Sequence, residues 1–310
     1  MKRDLLPVIL GPTASGKTSV AVALAHRMGA EIISADSRQV YRGMDIGTGK
    51  DLSSYAYNGI RIPYHLIDVA PAGSKYNVFE YQRDFKHVWD DCRQRGVQPI
   101  LCGGSGLYLE SIVRGYRLLP VPQDAALRSR LERLDLPSLK RRLETFKDLH
   151  NGTDVDTVKR AARALEIEIY YMTHEAEAAD FPCFQSRVFG LDPGRALRRM
   201  RISQRLDARL KEGMIEEVQA LLDSGIASED LIYYGLEYKF VSQYILGLLN
   251  YAEMRDQLEI AIHQFAKRQM TWFRGMERRG VPITWLPATE PADVLAEKIQ
   301  TLLAESADFS

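Results

Sequence analysis

Leu6–Thr18 reads LPVILGPTASGKT, a short apolar run that passes directly into Gly11-Pro12-Thr13-Ala14-Ser15-Gly16-Lys17-Thr18. These eight residues satisfy GxxxxGK[ST] in full. A loop of this kind turns its backbone amides toward phosphate oxygens, and the helix that follows adds the positive end of its dipole. Lys17 supplies a mobile point charge, and the Thr18 hydroxyl is placed to ligate a magnesium ion. The context is what the motif requires, since the loop follows a strand-like run and opens a helical one that extends to about Met28.

Moving outward, further β-rich runs stand at Glu31–Asp36 (EIISAD), His65–Val69 (HLIDV) and Pro99–Gly103 (PILCG), with a helix-periodic stretch over Val78–Arg93. Strands alternating with helices imply βαβ units, hence a parallel sheet flanked by helices with its ligand at the carboxyl ends of the strands. The expected class is α/β, a P-loop NTPase-like sheet. The character changes at Leu118–Pro122 (LLPVP). From Gln123 to about Glu175 the chain is charged, helical and nearly free of strand signals. The expected division is a catalytic core of residues 1–119 and 184–310 interrupted by an all-helical insertion, 120–183. Ser186–Leu191 (SRVFGL) reads as a strand returning to the sheet. A basic helix follows over Ala196–Glu212 and stops at Gly213, and Pro282–Leu286 (PITWL) reads as the last strand.

With 45% hydrophobic and 26% charged residues the chain has the profile of a globular protein rather than a disordered one. No apolar run reaches the ~18 residues of a membrane span. MKRDLLPVIL resembles the start of a signal peptide, but it runs straight into the phosphate loop and reads as the first core strand. Cys92, Cys102 and Cys183 form neither a CxxC pair nor a zinc pattern, and they are expected to be reduced core thiols in a cytoplasmic protein. The 41 basic and 41 acidic residues cancel globally, yet residues 195–211 carry seven Lys/Arg against one acid, and residues 261–279 five against one. Screening confines each charge to roughly 8–10 Å, so basic strips on a neutral protein can still track phosphates, although solvated helix faces have the same composition.

The end of the second strand, Ser34-Ala35-Asp36-Ser37-Arg38-Gln39, belongs beside the phosphate loop. Asp36 there suits a general base, a magnesium ligand through water, or a helix cap. Gly103-Gly104-Ser105-Gly106 after the fourth strand lets backbone approach a ligand. Arg201 and Arg205, at i and i+4, share one helix face from which a guanidinium could fork across phosphate oxygens.

Together these segments resemble the tRNA dimethylallyltransferase (tRNA isopentenyltransferase) family of the bacterial type. The pieces are GPTASGKT at 11–18, SADSRQVYRGMDIGTGK at 34–50, PYHLID at 63–68, GGSGLYL at 103–109, RALEI at 163–167, RISQRLD at 201–207, EGMIEEV at 212–218 and AKRQMTWFR at 266–274. They keep the family's order over nearly the whole chain.

The resemblance implies attack of an adenine N6 amine, next to the anticodon of a tRNA, on dimethylallyl diphosphate with loss of pyrophosphate. Asp36 matches the general base. The loop from Gly11 through Pro12, Thr13, Ala14, Ser15, Gly16 and Lys17 to Thr18 matches the diphosphate site, with Mg2+ on Thr18, and Arg205 matches the pyrophosphate-binding arginine. Asp36, Ser37, Arg38 and Gln39 fall where the flipped adenine is cradled. Ser105, Arg128 and the run Lys159, Arg160, Ala161, Ala162, Arg163 occupy tRNA-contact positions. The implied partners are the tRNA anticodon stem-loop and the prenyl donor, with no membrane and no obligate protein partner, consistent with a monomer.

The sequence departs from the family pattern in three places. Ser105 stands where Thr is usual, Asp156-Thr157-Val158 replaces the usual residues before RALE, and His263 stands where Arg is usual. A small-molecule P-loop kinase, a non-catalytic RNA-binding NTPase module and a prenyltransferase acting on free nucleotides are the competing readings.

Overall fold

The computed structural model describes residues 5–146, 155–174 and 181–305. The chain opens with β1 (Leu6–Leu10), the phosphate loop, α1 (Lys17–Met28) and β2 (Glu31–Ala35). A small antiparallel ribbon of β3 (Ala56–Tyr57) and β4 (Ile60–Arg61) follows, then β5 (Tyr64–His65), α2 (Val78–Gln94), β6 (Pro99–Gly103) and α3 (Gly106–Val113). Next come α4 (Ala125–Leu131), α5 (Leu136–Glu144) and α6 (Val158–His174). The chain returns through β7 (Ser186–Asp192), α7 (Arg195–Glu212), α8 (Met214–Asp223), α9 (Ser228–Tyr234), α10 (Leu236–Ile245), α11 (Tyr251–Arg278), β8 (Ile283–Pro287) and α12 (Ala292–Glu305).

The main sheet has six strands in the order β5-β2-β6-β1-β7-β8, and every pairing is parallel. β1 lies between β6 and β7, so the phosphate loop leaves from the middle of the sheet. β1, β2 and β6 are buried along their whole length. That explains why they read as continuous apolar runs rather than alternating ones. Each fully buried Ile, Leu or Val of these strands contributes about 1.5–3 kcal/mol of hydrophobic stabilisation. α1 and α12 share one core with the sheet, in which Val22, Leu24, Leu295, Ile299 and Leu303 meet Ile9, Ile32 and Ile100. α2 begins with a capping box between Asn77 and Glu80, and stacks Tyr81 on Tyr108 of α3 at 4.1 Å.

One expected strand is shorter in the structure. The run His65–Val69 pairs only through Tyr64–His65, because Leu66 (φ 60°) and Asp68 (φ 58°) adopt left-handed backbone. These turns bring the Asp68 amide to the Gln39 carbonyl, 3.1 Å, and its carboxylate to Lys50. The segment is thereby folded over the loop that follows β2. Cys92 and Cys102 are buried as expected, whereas Cys183 is exposed.

Residues Tyr116–Pro182 form a compact unit of their own, and residues 1–115 with 183–310 form the other. Within the smaller unit α4 and α5 start on capping carboxylates, Asp124 and Asp135, and pack on α6 through Leu131, Leu139, Leu143, Ala161, Ala162 and Leu165. The stretches 147–154 and 175–180 of the expected helical insertion lie outside the described residues.

Glu31, at the start of β2, accepts two hydrogen bonds from Arg95 (2.6 and 2.7 Å) and pairs with His65 (2.7 Å). The Arg95 hydrogen bonds outweigh the opposing effect of burial, and with His65 they pull the Glu31 carboxyl from its ordinary 4.5 down to about 2. A depressed carboxyl pKa stabilises the fold above the unfolded value and loses that contribution as pH falls. We therefore expect Glu31→Gln to cost about 2 kcal/mol at neutral pH, after allowance for the solvent that reaches Arg95. Its urea-unfolding free energy should be flatter than wild type between pH 4.5 and 2, the window set by the two carboxyl values.

Candidate active site

The phosphate loop is a cradle of turned backbone. Ala14 (φ 60°) and Gly16 (φ 84°) are both left-handed, and Gly16 caps α1 without any side-chain hydrogen bond. This leaves the first amides of α1 free to meet an anion. Lys17 and Thr18 open the helix at intermediate exposure. Burial pushes the Lys17 ammonium below its ordinary pKa; its electrostatic interactions with Cys102 and Asp36 oppose that, and Arg205 and Arg209 reinforce it. Lys17 thus sits within electrostatic reach of both the candidate base and two guanidinium groups. The Ser15 hydroxyl is buried in the loop without a hydrogen-bond partner.

Two long-range bonds fix the loop. The Gln269 side chain, on α11, accepts from the Thr13 amide (2.8 Å) and donates to the Gly104 carbonyl (2.9 Å). A Cβ at Gly104 would stand 2.6 Å from the Gln269 amide nitrogen, so this bridge needs glycine there. Trp272, one turn further on, donates its indole N–H to Glu110 of α3 at 2.9 Å.

β2 and β6 run in register to Ala35 and Gly103, and the Ser105 amide donates to the Ala35 carbonyl at 3.1 Å. Asp36 is therefore the first residue beyond the sheet, at its carboxyl edge. One of its oxygens accepts from the Arg38 amide at 3.0 Å, which fixes the carboxylate across a tight turn. The Ser105 hydroxyl accepts from the Ser37 amide (2.9 Å) and meets the Ser37 hydroxyl at 3.1 Å. Gln39 is tied on both sides, to the Ser34 hydroxyl (3.1 Å) and the Gly49 carbonyl (3.0 Å).

Opposite stands the loop Met44–Asp51. The Glu217 carboxylate, on α8, accepts from the amides of Asp45 (2.8 Å), Ile46 (2.7 Å) and Gly47 (3.0 Å), and from the Tyr238 hydroxyl (2.7 Å). Lys50 is fully buried and donates to the Tyr41 carbonyl, Asp45 and Asp68. Arg205 reaches this loop, donating to the Gly49 carbonyl (3.3 Å) and to Asp51. Gly49 is left-handed (φ 65°), and any side chain there would collide with the guanidinium groups of Arg205 and Arg209. Arg201, expected on the same face, goes elsewhere: it donates to the Ala288 carbonyl at 3.3 Å, between β8 and α12.

A cavity opens beside the phosphate loop. Thr13, Ala14, Arg205, Arg209 and Glu237 supply its polar wall, and Ile202, Leu206, Met214 and Ile262 its apolar wall. A phosphate cradle, two guanidinium groups and a small hydrocarbon surface thus share one recess.

The comparisons with known proteins agree with this geometry. Residues 39–276 match the family model "IPP transferase", and residues 5–67 match the model "Isopentenyl transferase". The chain belongs to the IPP transferase family. The chain is 62% identical over 302 residues to "tRNA dimethylallyltransferase 2" of Phocaeicola vulgatus, covering 97% of this chain and 98% of the relative. It is 57% identical over 306 residues to the protein of the same description in Bacteroides fragilis, covering 99% of each. Among solved structures it resembles the tRNA isopentenylpyrophosphate transferase of Bacillus halodurans (TM-score 0.70, 29% identity, 98% of this chain and 97% of that one). It resembles equally the enzyme of Staphylococcus epidermidis (TM-score 0.69, 29% identity, 97% and 99%). The sheet is accordingly of the P-loop NTPase-like kind.

In the smaller unit the expected RNA-contact residues divide into three kinds. Lys159 and Arg160 are exposed, with Arg160 paired to Asp156 at 2.9 Å. Arg128 and Arg163 both donate to the buried Glu166 (2.6 and 2.7 Å), and Arg163 also donates to the Val121 carbonyl at 2.9 Å. Burial would raise the Glu166 pKa, but those two arginines and the Asp124 amide hold it below the ordinary range. Ala161 and Ala162, expected at tRNA-contact positions, have their side chains fully buried in the packing of α6. His263 pairs with Glu259 at 3.5 Å, and its Nδ1 is buried without a partner. No helix among the described residues is long and apolar enough to cross a membrane.

Gln269, Glu217 and Lys50 lie inside segments read as motifs, but nothing local marked them as the residues that fasten the site. Arg209 carried no signal beyond its place in a basic run.

Proposed function

We propose that this chain is a tRNA dimethylallyltransferase. It moves the dimethylallyl group of dimethylallyl diphosphate onto the N6 amine of the adenosine next to the anticodon, releasing pyrophosphate. The observation that carries the reading is the placement of Asp36 at the sheet edge within electrostatic reach of Lys17, with Arg205 lining the recess beside the phosphate loop. This arrangement supports the reading of Asp36 as a base for the amine beside a cationic cradle for the leaving group. Relatives described as tRNA dimethylallyltransferases, similar over nearly the whole chain, support the same activity.

In the reaction the N6 nitrogen bonds to C1 of the prenyl group as the C1–oxygen bond breaks. The electron pair leaves on the diphosphate, and the N6 proton passes to Asp36. An allylic carbon ionises readily, so the demanding task is stabilising the charge that grows on the leaving diphosphate. The loop amides, Lys17 and Arg205 perform it. Thr18 offers an oxygen donor at the helix start beside the cradle, a fit for Mg2+, which takes oxygen ligands and keeps several waters. When bound there the ion neutralises diphosphate charge. Ser37, Arg38, Gln39 and Ser105 rim the Asp36 turn where a flipped adenine would be received.

Residues 120–183, the helical insertion, contact the tRNA through the exposed face of α6. We expect Lys159→Glu with Arg160→Glu to weaken tRNA binding and to reduce the salt slope by about one unit for each phosphate that is no longer neutralised. Dimethylallyl diphosphate binding should be unaffected. Arg163→Glu should instead unfold this unit, since it leaves the buried Glu166 facing a second carboxylate. Unchanged tRNA affinity in the Lys159/Arg160 double variant removes α6 from the interface.

The deciding experiment is nucleoside mass spectrometry of bulk tRNA from cells with and without this protein, paired with transfer assays on purified tRNA with and without chelator. Loss of the prenylated adenosine on deletion, and magnesium-dependent transfer without ATP, are expected. ADP formation with a small acceptor would point to a kinase instead. Transfer to AMP with tRNA left unmodified would point to the free-nucleotide branch.

A further inference from the structure

Arg209 is 8% exposed, yet its Nε and one of its terminal nitrogens have no hydrogen-bond partner. The nearest carboxylate oxygen paired with it, on Asp51, is 3.7 Å away and already engaged by Arg205. A buried guanidinium in this state is costly, because its donors have given up water and received nothing in exchange. Desolvation, followed by the repulsion of Arg205, pushes its pKa below that of an ordinary arginine, against the opposing pull of Asp51, Glu237 and Glu212.

The position explains what could meet the cost. Arg209 follows Arg205 by four residues on α7, so both side chains emerge on one face. Both line the cavity that Thr13 and Ala14 of the phosphate loop also line, and both lie against Gly49. Glu237, across that cavity, is raised in pKa chiefly by its own burial. The recess is lined by two guanidinium groups and a single carboxylate, Glu237, which makes no hydrogen bond to the orphaned nitrogens of Arg209. Its remaining wall, Ile202, Leu206, Met214 and Ile262, is apolar.

We infer that Arg209 is a second guanidinium for the diphosphate of the prenyl donor, its free N–H groups aimed at phosphate oxygens beside those held by Arg205, with the apolar wall taking the hydrocarbon tail. This rests on the prenyl-transfer reading above. Binding of the diphosphate satisfies the orphan donors and neutralises two adjacent cations at once. Arg209 is thus a site residue kept at the expense of the empty fold, a pattern expected where function needs strain or unpaired charge.

The two roles a buried arginine can have predict opposite outcomes for Arg209→Met, which keeps the aliphatic bulk and removes the charge. Inorganic pyrophosphate, with excess magnesium, is titrated into the wild-type protein, Arg209→Met and Arg209→Lys by calorimetry, with thermal unfolding of each in the absence of ligand. We expect Arg209→Met to weaken pyrophosphate binding by about 10- to 100-fold and Arg209→Lys by less, since a point charge cannot fork across two oxygens. The Tm of ligand-free Arg209→Met should equal or exceed that of wild type. In transfer assays its KM for dimethylallyl diphosphate should rise while its KM for tRNA stays put.

Pyrophosphate affinity within twofold of wild type in Arg209→Met overturns the inference. Should that variant fail to fold, the same result in Arg209→Lys overturns it. A wild-type protein that binds pyrophosphate but prenylates no tRNA overturns the choice of acceptor and leaves the diphosphate site in place. Prenylation by wild type with both variants unchanged overturns Arg209 alone.

Discussion

Asp36→Asn should lower kcat by roughly 10²–10⁴ while tRNA affinity changes little. The substitution keeps the shape of the side chain, and the amide oxygen of Asn can still accept from the Arg38 amide, so the turn at the edge of β2 survives. What is lost is the ability to take a proton from N6 as the new bond forms. Lys17 also loses a nearby negative charge, so pyrophosphate should bind at least as tightly as before. A gel-shift titration with tRNA, a pyrophosphate titration and single-turnover transfer rates separate these effects. An Asp36→Asn enzyme that retains more than about half of wild-type kcat places the base elsewhere.

Arg205→Ala should raise the barrier by roughly 2–4 kcal/mol, lowering kcat more than it raises the KM for dimethylallyl diphosphate. Charge on the diphosphate grows as its bond to carbon breaks, so a guanidinium beside it binds the transition state more tightly than the ground state. Without ligand, Arg205 is occupied by Asp51 and the Gly49 carbonyl. It must exchange these for phosphate oxygens, and Asp51→Asn should make that exchange easier. Lys in place of Arg205 should rescue only part of the rate. Pyrophosphate should inhibit competitively against the prenyl donor. Steady-state kinetics with both substrates varied decide the matter, and an Arg205→Ala enzyme of unchanged kcat removes Arg205 from the leaving-group site.

The parts of the site that could be read from sequence are those whose chemistry is local. GPTASGKT carries its own geometry, because the turn, the helix start and the lysine are adjacent in the chain. The place of Asp36 follows from topology, since a residue just past β2, a parallel strand one place removed from β1 across β6, lies at the same carboxyl edge of the sheet as the phosphate loop. The fasteners were hidden because their partners are remote. Gln269 meets Thr13 across 256 residues, and Glu217 meets Ile46 across 171. No period of two or 3.6 marks a side chain whose work is to hold another segment's backbone. Helical spacing put Arg201 and Arg205 on one face, but it could not say that one turn of α7 separates the loop at Gly49 from the strand end at Ala288. Arg128 and Arg163 were legible as cations and not as the two partners of one buried carboxylate.

The order of strands has a consequence for how the chain is made. β1 sits between β6 and β7, and its register with β7 joins Leu6 to Ser186 and Leu10 to Gly190. A ribosome must therefore add the whole of residues 116–182 before one flank of the first strand finds its neighbour. The core around α1 closes only when Leu295, Ala296, Ile299 and Leu303 of α12 arrive. Pairings so distant in sequence form slowly, because a long loop must close before any of them is rewarded. Until then a nascent chain displays an unpaired apolar strand edge, the feature that invites association with other chains. Translation stalled or truncated ahead of β7 should yield aggregates rather than a small phosphate-binding fragment, and the cell's holdase chaperones should find this chain early.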